Sequence, residues 1–385
     1  MSPQLQYPDI GGPLGEVLGS LTTDMLRQYL KQLPGPEKPT RKADMIAVVA
    51  RRLTAGVRDR WDNLGDLEKK AVAFAIHAED RAFDDERFAA RYGSVPKFER
   101  GENPYRWEPT ALGLIVIKLR NQRGIPREIH AKLSAIVPEP EPLKIASVEE
   151  PPSTYQRLEY RRETEFGTEM TGSVQVEVKY PRTIRYVEGV ARQDLSIVLR
   201  AISQGKLSVS AKTRRASAAT MKFLQTLLHE GDYFEWIPKK NKWDQEIGPV
   251  KAFAWPLLVQ AGGLAKVSGG KLTLTRRGHA AIVARPEDTL KALWEGWLAN
   301  RLLDEFNRID DIKGQKVRGA LTRPEGRRRV IANALRECPP GEWVEFDVLS
   351  RFMVASGKWF PISVLFGGRM ICAGCRVTTA CPTSD

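Results

Sequence analysis

Four cysteines and four histidines in 385 residues exclude much familiar site chemistry. Cys338 stands alone and Cys372, Cys375 and Cys381 crowd the end of the chain, which is no disulfide framework. Cys372 and Cys375 make one Cys-x-x-Cys pair, but a structural zinc site needs four ligands and no histidine lies nearby. His77, His130, His229 and His279 are scattered and form no hydrolase constellation. A G-x-x-x-x-G-K-[ST] loop, which would cradle a nucleotide's phosphates, is missing. No run approaches the ~18 apolar residues of a membrane span. The start, Met1-Ser-Pro-Gln-Leu-Gln-Tyr-Pro-Asp-Ile10, lacks the basic-then-apolar pattern of a signal peptide, so a cytoplasmic protein is expected. No cofactor, metal or small-molecule substrate is expected.

What the chain does have is an apolar content of 42%, ample for folded cores, and a formal net charge of +13. The length suggests two or three domains. The positive charge is clustered. Arg182 to Lys222 carries nine Lys/Arg against Glu188 and Asp194, and Lys313 to Arg336 carries eight against Glu325. Clustered cations attract a polyanion by releasing its condensed counterions, without reading sequence. A solubilising basic surface would have the same composition.

In chain order, residues 1–19 are rich in Gly and Pro and read as a loose leader. Leu21 to Leu30 then places Leu26 and Leu30 on one helical face. Pro34 to Pro39 interrupts, and Thr40 caps a second helix with a Met45, Ile46, Val49 stripe. These residues, with Leu21 and the Thr40-Arg41-Lys42 start, resemble a SAP module, the helix, extended loop, helix unit of chromatin and DNA-repair proteins. The resemblance, over residues 20–56, implies that Arg41 and Lys42 approach phosphate at a helix N-terminus. A plain helical hairpin has the same pattern.

Residues 57–137 read as a helical domain: helices at Trp61–Asp80 and Asp84–Tyr92, a pair that can be half of a degenerate winged helix, then the buried run Thr110–Leu119, which periodicity alone assigns to neither strand nor helix and which is read as helix. Residues 138–153, with Pro138-Glu-Pro-Glu-Pro142, read as an extended linker.

The chain is organised around Arg192 to Gly278, within a central domain spanning residues 154–284. Leu195, Val198, Leu199 and Ile202 share one face of a helix that Gly205 closes. Lys206–Val209 alternates like an edge strand, and Ser217 caps a second helix with Met221, Leu224, Leu227 and Leu228. Val250–Ala261 is a third helix, apolar nearly all round. Leu264–Val267 and Lys271–Thr275 pair across Gly269-Gly270, whose glycines allow the positive φ of a tight hairpin. Helix, strand, helix, helix, wing is the order of a winged helix. The expected fold is thus mainly α with small β-hairpins (α+β): tandem winged-helix units after an N-terminal SAP-like hairpin.

In DNA-reading winged helices the third helix presents polar side chains to base edges. Here it offers little beyond Lys251 and Gln260, so phosphate contacts are expected instead, from Lys212, Arg214 and Arg215 in one loop and from Lys266, Lys271, Arg276 and Arg277 at the wing. Between the second and third helices, Tyr233, Phe234, Trp236 and Trp243 sit beside Lys239, Lys240 and Lys242. These aromatics pack the loop down or, if exposed, stack on unpaired bases.

Residues 285–364 read as a second, incomplete winged helix. Leu293, Trp294, Trp297 and Leu298 lie on one helix, Arg327, Arg328 and Arg329 open the next, and a Pro339–Val344 turn leads to a helix at Phe346–Phe352. The tail, 365–385, shows no continuing periodicity and reads as a truncated or altered end. One enzymatic alternative stands apart. Glu177-Val-Lys179, on the alternating strand Ser173–Tyr180, has the spacing with which restriction-like nucleases hold a metal and an attacking water, with Glu163 or Glu165 as the earlier acid. Any half-exposed strand also alternates Glu and Lys with Val.

The runs Asp194–Arg200, Lys206–Thr213, Leu272–Gly278, Leu293–Leu303 and Arg328–Val344 resemble the winged-helix regions of bacterial proteins related to the N-terminal domain of XPB-type helicases. The resemblance implies a DNA-associated accessory role in repair, transcription or phage defence. Two hypotheses follow: a non-enzymatic protein gripping DNA, duplex or single-stranded, by its phosphates, or a scaffold docking a helicase or nuclease partner.

Overall fold

The computed structural model of the protein describes residues 9–100, 107–164, 171–233, 249–308 and 321–360, and the side chains of 157–164, 171–175 and 307–308 are left aside. These residues form a mixed α+β protein with antiparallel sheets of two or three strands. The chain divides into two compact units, one built mainly from residues up to Ser147 and the other from Val148 to Trp343.

The first unit begins with α1 (Leu14–Gly19), α2 (Thr23–Gln32) and α3 (Lys42–Ala55). The stretch read as a loose leader is therefore partly core. Leu14, Val17 and Leu18 are at most 1% exposed because their i, i+3, i+4 spacing gives α1 one apolar face. Thr22 caps α2 by accepting the Met25 N–H at 3.2 Å, and α2 packs its Leu26 and Tyr29 against Val49 and Leu53 of α3. Where one helix was expected over Trp61–Asp80 there are two, α4 (Val57–Asp62) and α5 (Asp66–Ile76). Gly65 separates them, and its N–H donates to the Glu68 carboxylate at 3.0 Å at the start of α5.

Strand β1 (Ala82–Phe83) leads to α6 (Asp85–Tyr92), the short helix expected there, which Asp84 caps by accepting the Glu86 and Arg87 N–H groups. Then come β2 (Glu99–Arg100), β3 (Glu108–Pro109), β4 (Ile117–Leu119), β5 (Gln122–Gly124) and α7 (Arg127–Leu133). The order β1-β5-β4 makes one small antiparallel sheet and β2-β3 another. The expected helix at Thr110–Leu119 is instead a turn that runs into β4. The physical reason is Gly113, at which a Cβ would stand 2.2 Å from the Phe98 carbonyl oxygen. Neighbouring Thr110 donates its N–H to the same carbonyl at 3.0 Å, which ties the start of the stretch to the β2 segment, and only single turns close within it, Leu114 N–H to Thr110 O at 3.0 Å and Val116 N–H to Leu112 O at 2.8 Å, before the chain extends into β4. One apolar core spans Ile10 to Val137, so the SAP-like stretch and the residues after it share an interior.

The second unit opens on a ribbon of β6 (Thr154–Thr164) and β7 (Thr171–Pro181), in register from Thr154 opposite Pro181 to Thr164 opposite Thr171. Next come α8 (Val187–Ser203), α9 (Ala218–Leu227), α10 (Val250–Ala261), β8 (Ala265–Ser268), β9 (Lys271–Leu274), α11 (Arg276–Ala281) and α12 (Pro286–Ala299). The stripes expected on α8 and α9 supply Leu195, Val198, Leu199, Ile202, Leu224 and Leu228 to a core closed by Val259, Leu264 and Leu272. Ser217 caps α9, accepting the Thr220 N–H at 3.2 Å. The β8–β9 turn has φ of +55° at Gly269 and +73° at Gly270, a conformation that would strain a residue bearing a Cβ. Ser208, in the stretch read as an edge strand, bridges antiparallel to Lys271 and lays a third extended segment against the hairpin.

The span 285–364 is divided differently from the expected second winged helix. Helix α12 and the helix Pro324–Leu335 belong to the second unit. The helix Phe346–Ala355 belongs to the first, where the Ala355 carbonyl lies 3.5 Å from Nε of Arg87 on α6. Non-local packing of this kind leaves no trace in local periodicity.

Candidate nucleic-acid interface

The seven cations expected in the central domain emerge from three neighbouring pieces of backbone. Residues 210–215 form a tight loop, closed by Ser210 N–H to Arg215 O at 2.9 Å and Arg214 N–H to Ser210 O at 2.7 Å. Arg214 sits at φ +58°, an uncommon conformation for a residue with a Cβ, and Gln260 Nε2 of α10 donates to its carbonyl at 3.0 Å. Lys212, Arg214 and Arg215 are all exposed there, and the Arg215 guanidinium lies 5.8 Å from the Phe253 ring centre. The loop leaves the strand beside the hairpin tip, where the Val209 N–H donates to Gly270 O at 2.8 Å.

The hairpin alternates as a half-buried pair must. Ala265, Leu272 and Leu274 are buried, and Lys266, Ser268 and Lys271 face solvent. Arg276 and Arg277 were expected on the wing itself. They lie instead in the first turn of α11, at the hairpin's base, because Thr275 accepts the Gly278 N–H at 3.1 Å and starts a helix there. Both are exposed, and a Cβ on Gly263, just beyond α10, would stand 3.5 Å from an Arg277 Nη. None of the seven has an ion-pair partner among the described residues. Loop 210–215, the hairpin and the first turn of α11 thus gather unneutralised positive charge in one part of the fold.

Helix α10 itself offers no polar side chain for reading bases. Lys251 is 7% exposed and pairs with buried Asp194 at 2.9 Å, while also donating to the His229 carbonyl at 2.7 Å. Asp194 further accepts the His229 N–H at 2.8 Å and faces the Trp255 indole N–H at 3.4 Å, so the buried pair has the added partners such a pair needs. Gln260 holds the Arg214 carbonyl. Asp232 caps the N-terminus of α10, accepting the N–H groups of Val250, Lys251 and Ala252 at 2.8 to 3.1 Å. Sequence alone pointed to neither Asp194 nor Asp232, although an acid ahead of an apolar helix is a capping signal.

The Arg327-Arg328-Arg329 run splits. Arg327 and Arg328 are 4% and 2% exposed, so both leave the candidate interface, and Arg329 remains exposed. Arg327 pairs with Asp304 at 2.7 Å and lies 4.3 Å from the Phe306 ring centre. Arg328 closes the end of α12, donating to the carbonyls of Trp297, Asn300 and Leu303, pairing with Glu305 at 3.0 Å and lying over the Trp297 ring. A helix ends with carbonyls that lack intrahelical partners, and this guanidinium supplies them.

In the first unit, Arg41 is exposed just ahead of α3, whereas Lys42 donates to the Gly19 carbonyl at 2.8 Å. The loop between α2 and α3 is tied down by Arg52, which donates to Leu33 O at 2.8 Å and pairs with Glu37 at 2.7 Å. Hydrogen bonds from Arg52 and then Arg51 hold the Glu37 carboxyl below its ordinary range. Glu177 and Lys179 are exposed on β7, opposite Leu158 and Gln156 of β6. No group of three or more His, Cys, Asp or Glu is placed to hold a metal among the described residues. Phe234, Trp236, Lys239, Lys240, Lys242, Trp243, Glu165, Cys372, Cys375 and Cys381 lie outside the described residues. No described helix is long and apolar enough to cross a membrane. Comparison with protein-family models, curated proteins and solved structures gives no match.

Proposed function

We propose that residues 187–284 form a winged helix that binds DNA through its phosphates with little sequence preference, making the protein a non-enzymatic accessory factor in repair, transcription or phage defence. The observation that carries this reading is the set of seven exposed cations around the β8–β9 hairpin, none with an acidic partner among the described residues. Protein surfaces ordinarily intersperse both signs, and a one-sign cluster suits a polyanion. The internal use of Lys251 and Gln260 supports the lack of base readout. The resemblances to XPB-type helicase regions and to SAP modules belong to the same proposal, with Arg41 as an outlying contact.

Titration of labelled duplex and single-stranded DNA tests it. Replacing Arg214, Arg215, Arg276 and Arg277 by Glu is expected to abolish binding, and unchanged affinity refutes the assignment. A second reading, a scaffold that docks a helicase or nuclease subunit, draws on exposed apolar side chains after α11 and on α12: Val283 is 87% and Trp294 43% exposed. It predicts partner capture that survives the four charge reversals.

A further inference from the structure

A cavity of about 490 Å³ lies in the first unit, bounded on one side by α4, α5 and α6 and on the other by the chain from Pro138 to Lys144. This volume is within the range typical of small-molecule sites. Its walls are of two kinds. Trp61 and Ala73, 9% and 7% exposed, and half-buried Tyr92 give flat and apolar surface. Lys69, Lys70, Arg91 and Lys144 give positive charge.

The two acids on the wall, Glu139 and Glu141, pair with none of these cations; Arg91 instead donates to the Glu141 backbone carbonyl and so holds the proline-rich segment across the opening. Lys70 and Arg91 stand over the Tyr92 ring, 5.5 and 5.2 Å from its centre, which fixes cationic groups beside the aromatic and apolar wall. An apolar floor beside cations that lack carboxylate partners among the described residues favours a ligand with a flat ring at one end and negative charge at the other. A neutral ring would leave the cations unanswered, and a bare inorganic anion would leave the floor unused.

We infer that this cavity binds a small planar organic anion, the Pro138–Lys144 segment forming its outer wall. The inference is independent of the proposed nucleic-acid interface, which lies in the other unit.

Calorimetric titration of the full chain tests it with four probes: adenosine 5′-monophosphate, 2-naphthoate, adenosine and inorganic phosphate. Binding of the first two distinguishes a phosphate from a carboxylate head group, and either supports the inference. Adenosine and inorganic phosphate are each expected to bind at least about tenfold more weakly, since each lacks half of the complementarity. The double variant Lys69→Glu, Lys144→Glu changes only exposed or half-exposed positions and should lower affinity on the order of tenfold or more. Ala73→Leu should weaken binding with the charge unchanged. As a control, Arg276→Ala with Arg277→Ala should leave it intact. The inference is overturned by the absence of heat with both ring-bearing anions, by equal affinity for inorganic phosphate, or by loss of binding in the arginine control and not in the lysine variant.

Discussion

The salt dependence of DNA binding can be worked out in advance. The β8 and β9 strands are four residues long, and at ~3.4 Å per residue the cations from Arg276 at the base to Lys271 at the tip follow ~13 Å of surface. One strand of B-DNA presents a phosphate about every 3.4 Å of helix axis, so roughly four fall within that length. Four neutralised phosphates give a slope of about −3.6 in log affinity against log salt, and a rise from 50 to 200 mM should weaken duplex binding about 150-fold. Removing Arg276 and Arg277 together should halve the slope to about −1.8, leaving about a 12-fold effect over the same interval. Single-stranded DNA, with its lower counterion density, should show a slope near −2.8. Fluorescence anisotropy at four or five salt concentrations measures all three. A slope near zero for the natural chain refutes the phosphate-contact reasoning, and an unaltered slope in the double arginine variant refutes the surface assigned to it.

The Arg327 to Arg329 run offers an internal contrast: Arg328→Ala should destabilise the second unit by about 1–3 kcal/mol, since it leaves the carbonyls ending α12 without their donor, whereas Arg329→Ala should lie within about 0.5 kcal/mol of the parent in urea melts. Gly113→Ala drives a Cβ to 2.2 Å from the Phe98 carbonyl and should cost about 1–3 kcal/mol; a variant as stable as the parent would show that the β2–β4 region yields easily. The lowered pKa of Glu37 implies that its stabilising contribution is complete above the ordinary carboxylate value of 4.5 and is lost as pH falls through the lower folded-state value. Thermal melts between pH 3 and 7 should therefore show a shallower acid loss in Glu37→Gln than in the parent, and superimposable profiles would contradict the Arg52 and Arg51 contacts.

Elements with one wet face were legible from spacing alone. Helix α8 buries the whole stripe expected from its 3.6-residue period, α2 and α3 bury Leu26, Met45 and Val49 with Leu30 and Ile46 half-buried, α9 buries Leu224 but leaves Leu227 exposed, and the β8–β9 hairpin turns at the glycine pair read from the sequence. Where burial is general, the signal disappears: Leu112, Leu114, Ile115, Val116 and Ile117 are all buried, so no period separated the turn and strand from a helix. The exposure of the candidate cations was legible where they sit on loops and turns, because such positions face water almost by necessity. It failed at Arg327 and Arg328, where a proline start at Pro324 and an i, i+4, i+8 row of Pro324, Arg328 and Ala332 turn the charge inward. Charge counting assigns a basic run to solvent, and only the helix phase together with Asp304 and Glu305 reverses that assignment. Lys251 was hidden for the same reason, since its partner Asp194 lies on a helix remote in sequence.

The Asp232 carboxylate has a practical corollary. By bonding the first amides of α10 it brings the two margins of the intervening residues 234–248 side by side, so the core is fastened on both flanks before that stretch begins. Asp232→Ala is therefore expected to speed hydrogen exchange at the first amides of α10, while the buried Asp194–Lys251 pair keeps that helix joined to the rest of the core.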